Sequence, residues 1–272
     1  MPQSTEPGLD LAAFRAVDAA GDPQTLVRYL DQAKLQPTLQ ALRPRMIEQL
    51  RLPRPARLLD AGCGLGTEAM DLARTGEVDV TGIDSSLAMV EEAQRRASSS
   101  GLPVSFSQAD AADLPFPDDH FDACQAQTLL GHVADPVPVV AELVRVTRPG
   151  GRVVILDLDQ GSTLLDHPDR ATTRIVLQTL TDGFANGWAG RQLRRLLLAA
   201  GTHDVAVELT TMDLHPAFLF QLLIPTVRRL RTDDIVDGTS LDRWWNELEE
   251  LAEAGLFSAS TTWFLAAGTV PG

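Results

Sequence analysis

The feature that most constrains the fold is a turn at residues 60–66 in which glycine occupies every second position. An apolar run that starts at Ala56 ends in Asp60, and a helix-like segment follows from Glu68. This order predicts a strand, a tight turn and a helix. Glycine is favoured where the backbone needs positive φ or where a ligand approaches the main chain. The N–H groups of such a turn and the start of the next helix favour an anionic ligand group.

The spacing of Gly62, Gly64 and Gly66 separates this turn from the dinucleotide-binding pattern. That pattern is Gly-x-Gly-x-x-Gly, whereas the third glycine here comes one residue earlier. A nicotinamide oxidoreductase is therefore disfavoured. The turn alone is also compatible with a plain connection between a strand and a helix, so the functional assignment depends on other segments.

Strand and helix patterns alternate after the turn. Further strands are predicted at 79–84, 104–107, 121–126 and 152–157, with helices at 85–97 and 136–147. This alternation indicates an α/β fold with a doubly wound, Rossmann-like, mostly parallel sheet. Ligands of such sheets bind beyond the carboxyl ends of the strands. Four polar residues fall at or just past these ends and are expected to share one site: Asp60, Asp84, Asp110 and Gln127.

The chain divides into four predicted segments. These are an N-terminal helical arm or lid (1–50), a Rossmann-like core (51–211), a helical cap insertion (212–258) and the final strand of the core (259–272). In the arm, Pro23 is expected to start a helix and Pro44 to bend or restart one. An insertion as long as 212–258 indicates a functional cap, and a dimer contact is the alternative.

Composition limits the expected partners. The chain has 272 residues, 44% of them hydrophobic, and no apolar run is long enough to span a bilayer. Its net charge is −14 and Lys34 is its only lysine, so a nucleic acid partner is not expected. Cys63 and Cys124 show neither metal-ligand spacing nor a disulfide framework, and no signal peptide pattern is present. We expect a cytoplasmic protein without a bound metal, either monomer or homodimer.

Four more segments follow the glycine turn in an order that is typical of one enzyme family. They are Asp84 at the end of the second strand, the acid- and proline-rich segment 109–122, the segment 129–136, and the segment 144–151, which ends in Pro-Gly-Gly. With the turn, they resemble the class I S-adenosylmethionine (SAM)-dependent methyltransferases, in the ubiquinone/menaquinone-biosynthesis-like, methyltransferase type 11 branch. The resemblance covers about residues 56–160.

This resemblance implies a cofactor and a set of residues that bind it. SAM would be the methyl donor and S-adenosylhomocysteine the product. The implied cofactor contacts are Asp60, Gly62, Gly64, Gly66, Asp84, Ser85, Asp110, Ala111 and Gln127. The glycine turn would meet the methionine carboxylate, Asp84 the ribose hydroxyls, and the Asp110 loop the adenine. Backbone carbonyls near Gln127 would approach the methionine end. For Asp84, a cap on the following helix is the alternative interpretation.

The acceptor is expected to be a small, largely apolar metabolite, such as a natural product or a quinone-like compound. Its candidate contacts are four aromatic residues and one histidine of the arm, core and cap: Tyr29, Trp188, His215, Phe218 and Trp244. Aromatic residues at helical spacing are equally compatible with core packing. The sequence does not distinguish oxygen, nitrogen and carbon as the methylated atom.

His132 is the candidate general base, because it follows strand four and an imidazole titrates near neutral pH. A structural role for His132 is the alternative. Three other histidines, His120, His167 and His203, are expected at the surface.

Two further functions stay open besides methyl transfer and the disfavoured oxidoreductase. One is a different SAM-dependent reaction, such as a cyclisation, and the other is a non-catalytic interaction module.

Overall fold

A computed structural model describes residues 17–19, 23–102 and 104–272. The strands are β1 (Ala56–Ala61), β2 (Val78–Asp84), β3 (Val104–Gln108), β4 (Phe121–Gln127), β5 (Thr147–Leu165), β6 (His203–Asp213) and β7 (Ala259–Thr269). The helices are α1 (Pro23–Ala33), α2 (Pro37–Leu50), α3 (Thr67–Ala73), α4 (Leu87–Ser100), α5 (Pro136–Arg145), α6 (Arg170–Asp182), α7 (Ala189–Ala199), α8 (Pro216–Thr232) and α9 (Gly238–Glu253). Short 3-10 turns occur at Val17–Ala19 and Leu130–His132.

The seven strands form one sheet in the order β3-β2-β1-β4-β5-β7-β6. The first five run parallel, and β7 is antiparallel to both of its neighbours. Leu58 and Leu59, which point to opposite faces of β1, are both fully buried. Both faces are therefore covered, as a parallel sheet requires. The predicted doubly wound, mostly parallel α/β fold is confirmed.

β5 is much longer than its predicted span of 152–157. It runs on to Leu165 because it pairs with β7, from Arg152 opposite Thr269 to Asp159 opposite Thr262 and, after an irregularity, at Leu164 opposite Ser260. The partner strand is about a hundred residues further along the chain, so no local pattern marks this extension. The extension carries β5 past the parallel part of the sheet and forms one side of the cavity described below.

The arm differs from its prediction at Pro44. α1 begins at Pro23 as expected, but α2 continues through Pro44 without a break. A proline inside a helix costs about 3 kcal/mol. Four apolar side chains of α2 are buried in the core, each contributing about 1.5–3 kcal/mol, and they offset this cost. They are Leu39, Leu42, Met46 and Leu50. The arm before residue 17 lies outside the described residues.

α6 is the element that the sequence patterns missed. Its sequence is rich in threonine, a poor helix former, although Asp169 caps it by accepting hydrogen bonds from the N–H groups of Ala171 and Thr172. α6 packs against α8 and α9, the two helices between β6 and β7. All three share an apolar cluster with the sheet, through Leu180 among others. Within the described chain, no helix is long and apolar enough to cross a membrane.

Candidate functional site

One cavity of about 290 Å³ lies at the carboxyl ends of the parallel strands. The strand-end residues that line it are Asp60, Gly62, Gly64, Asp84, Ser85, Asp110, Ala111, Gln127, His132 and Asp157. Its other sides come from α1, α2, α6, α8 and the antiparallel strands. The four polar residues at the strand ends therefore line the same cavity, as expected. Their roles stay predictions.

All three glycines of the turn adopt positive φ, which is 50° at Gly64. Gly62 and Gly66 have φ values of 71° and 69°, a region that side-chain-bearing residues rarely adopt. A Cβ on Gly62 would lie 3.0 Å from Cδ1 of Leu129, and one on Gly66 would collide with the ring of Phe106. Gly66 thus faces the packing between the turn and β3, outside the cavity lining. Its neighbours Leu65 and Thr67 line the cavity, and the contact of Gly66 with the cofactor stays a prediction.

Three N–H groups of the turn already have partners within the protein. The Cys63 N–H donates to the carbonyl of Ile83 at 2.8 Å, and the Gly66 N–H donates to the carbonyl of Cys63 at 2.8 Å. The Gly64 N–H donates to a carboxylate oxygen of Asp84 at 2.9 Å. These three groups therefore hold the turn together and orient Asp84. The contact of the turn with the cofactor carboxylate stays a prediction that concerns its other N–H groups.

Asp84 follows β2 and is held from two sides. One carboxylate oxygen accepts from Gly64, and the other accepts from the N–H of Ser86 at 2.9 Å. Burial raises the pKa of Asp84, and these N–H donors oppose that rise. The cap of α4 is Ser86, whose hydroxyl accepts from the N–H of Met89 at 3.2 Å. The alternative role of Asp84 as the helix cap is therefore excluded.

The arm contacts this region through Asp18. Its carboxylate accepts hydrogen bonds from the Ser86 hydroxyl at 2.6 Å, the Leu87 N–H at 2.9 Å and the Ala88 N–H at 3.1 Å. These bonds lower the pKa of Asp18. α1 of the arm also places Leu30 over Gly64. The arm therefore covers the glycine turn and the start of α4.

Asp60 is almost completely buried at the end of β1. Burial raises its pKa to about 7, the charge of Glu68 and, more weakly, that of Asp84 add to the rise, and a hydrogen bond from Gln125 opposes it. Gln125 is the residue opposite Asp60 on β4. Asp60 therefore changes charge near neutral pH, at the edge of the cavity.

The loop after β4 is attached to β5 by Asp157. Its buried carboxylate accepts from the N–H groups of Leu130 at 2.8 Å, Gly131 at 3.3 Å and Leu158 at 2.9 Å. Burial raises the pKa of Asp157 to about 7. These bonds fix the 3-10 turn that carries His132. Asp157 was missed as a site residue, although its place at the end of a parallel strand was the available signal.

His132, Tyr29 and Phe218 all line the cavity. His132 is half-buried, with its ring centre 6.2 Å from that of Phe184. Tyr29 of α1 stacks on Phe218 of α8, with ring centres 6.3 Å apart and planes 14° from parallel. Burial raises the pKa of Tyr29 to about 12, so its phenol stays neutral. This pair joins the arm to α8 at the cavity.

Comparison with known proteins agrees with this geometry. The family model described as "Methyltransferase domain" matches residues 59–155. The methyltransferase GfsG of Streptomyces halstedii is 33% identical over 214 residues, which is 72% of this chain and 73% of that protein. The chain is a class I SAM-dependent methyltransferase. Its cofactor is SAM, and its family matches the resemblance carried by the sequence motifs.

Two further similarities place this methyltransferase among its relatives. The 27-O-demethylrifamycin SV methyltransferase of Amycolatopsis mediterranei is 40% identical over 129 residues, 47% of each chain. The solved structure of the [4+2]-cyclase SpnF matches with a TM-score of 0.54 and 25% identity, covering 86% of this chain and 81% of that one.

Trp244 of the methyltransferase does not reach the cavity, so its predicted role in substrate binding is wrong. It is fully buried, its indole N–H donates to the Thr173 hydroxyl at 2.9 Å, and its ring stacks on His167 with centres 5.1 Å apart. His167 is itself buried, and its ring nitrogen lies 3.0 Å from the carbonyl oxygen of Trp244. His167 was expected at the surface, and that prediction is wrong as well.

Trp188 and His215 also have structural contacts elsewhere. Trp188 is 51% exposed and covers the guanidinium of Arg191, which lies 4.8 Å from its ring centre and pairs with the buried Asp159 at 2.6 Å. His215 is exposed and caps α8, with the N–H of Ala217 3.3 Å from its ring nitrogen. Neither belongs to the cavity lining, so both substrate-binding predictions are corrected.

The remaining wall of the cavity is mostly apolar; Phe218 is its one residue that was predicted by name, although residues 212–222 belong to the predicted cap. It combines α6 and the chain after it, α8, and the antiparallel strands. Its residues are Gln160, Thr163, Leu180, Phe184, Asn186, Met212, Leu214, Phe218, Leu219, Leu222, Thr261 and Trp263. The apolar spacing on α8 was visible in the sequence, but nothing local indicates which of its faces meets the cavity.

Proposed function

We propose that this methyltransferase transfers the methyl group of SAM to a small, largely apolar acceptor, in a tailoring step on a natural product or quinone-like compound. The observation that carries this proposal is the shared cavity. The same enclosed space is lined by the strand-end residues of the family motifs and by the apolar wall of α6, α8 and the antiparallel strands. A donor and an apolar acceptor can therefore meet in one site.

The chemistry of the strand-end residues suits SAM. Asp84 would accept hydrogen bonds from the ribose hydroxyls, Asp110 and Ala111 would contact the adenine, and Ser85 lines the cavity beside Asp84. Asp60, when ionised, would pair with the ammonium. Gln127 adds an observation of its own, because its Oε1 is buried without a hydrogen-bond partner among the described residues. A buried acceptor of this kind is costly unless a ligand donor satisfies it.

SAM supplies an electrophilic methyl group on a positively charged sulfur. The protein holds the acceptor atom in line, and such positioning contributes up to about 7–11 kcal/mol to the rate. His132 would take the proton of a hydroxyl or acidic carbon acceptor as the methyl arrives. Tyr29 and Phe218 would exclude water and hold an apolar acceptor from the side of the arm and α8.

The relatives support a natural-product acceptor. One is the methyltransferase GfsG, and another, by its name, acts on 27-O-demethylrifamycin SV. The wall formed by Met212, Leu214 and Leu222 offers mainly hydrophobic contact, with Asn186 and Gln160 as isolated polar groups. Such a lining is typical of sites for small, partly polar molecules.

The test is an incubation of the protein with SAM whose methyl carries an isotopic label, together with a panel of hydroxylated polyketide-type and quinone-type compounds. We expect one class to gain one labelled methyl by mass spectrometry. No labelled product from any apolar acceptor, with transfer to a nucleic acid or protein instead, would overturn the proposal. A matched protein with Asp84→Ala serves as the control for transfer that does not depend on the site.

A cyclisation is the second candidate, favoured by the similarity to the [4+2]-cyclase SpnF over most of both chains. The two reactions differ in product mass. A cyclised product has the mass of its substrate and requires no turnover of SAM, whereas a methylated product is heavier by one methylene group.

Other sequence predictions stay proposals alongside this function. They are the division at residues 50, 211 and 258, the cytoplasmic location, the lack of a nucleic acid partner, and the choice between monomer and homodimer. The contacts of α8 with the cavity support a functional cap over a mere dimer contact.

A further inference from the structure

The charges around the cavity are unbalanced. Five acids line it: Asp60, Glu68, Asp84, Asp110 and Asp157. Among the described lining residues, two side chains carry a permanent positive charge, Lys34 and Arg43. The amino-acid end of SAM bears a carboxylate as well as an ammonium. A carboxylate among so many acids requires a cation nearby, because like charges in a poorly solvated site repel strongly.

Three N–H groups of the glycine turn do not meet that need. As described above, the N–H groups of Cys63, Gly64 and Gly66 already donate within the protein. The helix that follows, α3, has only seven residues, and its cap glycine offers no side chain. A side-chain cation beside the turn would supply the positive charge that these three N–H groups do not.

Lys34 is engaged elsewhere. Its ammonium lies 2.7 Å from Asp31, which also accepts two hydrogen bonds from Arg96 at 2.9 and 3.0 Å. This network joins the end of α1 to α4, and the Lys34 side chain is 31% exposed. The charge of Lys34 is thus already balanced by Asp31, although its side chain also lines the cavity.

Arg43 on α2 is different, because its hydrogen-bonding capacity is not filled. One terminal nitrogen pairs with Glu68, and the other lies 3.5 Å from the carbonyl of Lys34, the outer limit of a hydrogen bond. Its Nε is buried and lacks a hydrogen-bond partner among the described residues. A guanidinium has five N–H donors, so Arg43 has donors left for a ligand.

Arg43 lies beside the glycine turn, where the methionine end of SAM, with its carboxylate, is expected. Its partner Glu68 lies in the first turn of α3, two residues beyond Gly66, so the guanidinium is beside the glycine turn. We propose that Arg43 binds the carboxylate of the methionine moiety of SAM, with Glu68 as its counter-ion until the cofactor enters. This assignment rests on the proposed function, which puts the cofactor in this cavity. The planar fork of arginine suits a carboxylate in a paired geometry.

The test compares two ligands that differ only in the carboxylate, SAM and decarboxylated SAM, by calorimetry. With the wild-type protein, removal of the carboxylate should weaken binding about 10- to 100-fold, the range for hydrogen bonds between charged groups. With Arg43→Gln, SAM should weaken by a similar factor, while decarboxylated SAM should bind as it does to the wild type. The matched control is Arg45→Gln on the same helix, since Arg45 pairs with Glu208 at the surface and should leave both affinities unchanged.

Two more variants sharpen the result. Arg43→Lys keeps the charge without the fork and should recover part of the lost affinity. Glu68→Gln removes the competing carboxylate and should bind SAM at least as tightly as the wild type. Equal weakening of both ligands by Arg43→Gln would overturn the proposal in favour of a packing role in the arm, and so would no weakening of either. If Arg43→Gln does not fold, Arg43→Lys and the wild-type ligand comparison decide the question. Wild-type protein that binds neither ligand would instead overturn the proposed function.

Discussion

The two walls of the cavity are built in different ways. The cofactor wall consists of short loops at the ends of β1 to β4, residues 60, 62–65, 67–68, 84–85, 109–111, 127–129 and 131–132. The acceptor wall consists of Tyr29 and residues 158–163, 180–186, 212–222 and 261–263. The first is polar and held by backbone hydrogen bonds, as at Gly64 and Asp84. The second is mostly apolar and continues into the core through Leu219 and Trp263.

This difference indicates that the cofactor wall determines SAM binding and the acceptor wall determines the choice of acceptor. The cofactor wall is fixed by hydrogen bonds within a few residues of each strand end, so it can stay unchanged while the other wall varies. The acceptor wall is made of packed side chains from separate helices, and its shape changes with any one of them. We therefore expect substitutions in the first to alter SAM binding and those in the second to alter the Michaelis constant for the acceptor.

The largest effect is expected at His132, where the two walls meet. His132→Ala should lower turnover about 10²–10⁴-fold while SAM affinity is kept, since a positioned base contributes that much. His203→Ala, an exposed histidine beside Asp204, is the control. Steady-state rates across pH and calorimetry with SAM measure the effect. A large loss of SAM affinity or thermal stability in His132→Ala would make the residue a structural part of the loop.

The next largest effect is expected at Asp84, which belongs to the cofactor wall alone. Asp84→Ala removes the acceptor for two ribose hydroxyls and should weaken SAM binding by about 1.5–3 kcal/mol. Asp79→Ala, an exposed acid at the other end of β2, should leave binding unchanged. Calorimetry that finds the same SAM affinity in Asp84→Ala and wild type would refute the assignment.

The buried acid Asp60 should make stability depend on pH. Its pKa is raised to about 7 in the folded state, so the folded protein keeps a proton that the unfolded chain loses near its ordinary pKa of 3.8. Stability should therefore fall as pH rises from about 4 to about 7, by at most about 1.4 kcal/mol per pH unit for this group. Asp157, with the same direction of shift, adds to the fall.

Urea unfolding of wild type and Asp60→Asn at several pH values measures that slope. The variant should show a shallower decline over the same range. Identical slopes in the two proteins would mean that Asp60 titrates in the folded state as it does in the unfolded chain.

The smallest effect is expected in the acceptor wall. Phe218→Ala removes an aromatic ring from the cavity lining, and a ring contact with the acceptor is worth about 0.5–1.5 kcal/mol, so the Michaelis constant for the acceptor should rise about two- to tenfold. Phe220→Ala on the same helix is the control, because Phe220 packs on Trp245 and Phe257 instead. SAM affinity should be unchanged in both. Equal changes in the Michaelis constant for both variants would remove the distinction between the walls.

The contrast between the two walls also explains which site residues could be predicted from the sequence. Asp60 and Asp84 follow short strands rich in apolar residues, a local pattern that the sequence shows directly. Arg43, in contrast, reaches the site from α2, and only the packed fold brings it beside Glu68. Trp244 has the same helical spacing as a pocket residue, but its indole N–H bonds to Thr173 on α6, a helix that periodicity did not reveal. Distant pairings of this kind leave no local pattern.

The bonds from Asp18 to the start of α4 bear on the order of events in one catalytic cycle. Three hydrogen bonds at Asp18 and the packing of Leu30 over Gly64 close the arm over the glycine turn. S-adenosylhomocysteine can leave on this side only after those contacts break. We therefore expect release of the spent cofactor to be slower than the chemical step, as is common for enzymes that open a lid in each turnover. Release of S-adenosylhomocysteine, measured by stopped flow, should be faster from Asp18→Asn than from wild type. Opening of the arm would then set the turnover rate of the enzyme.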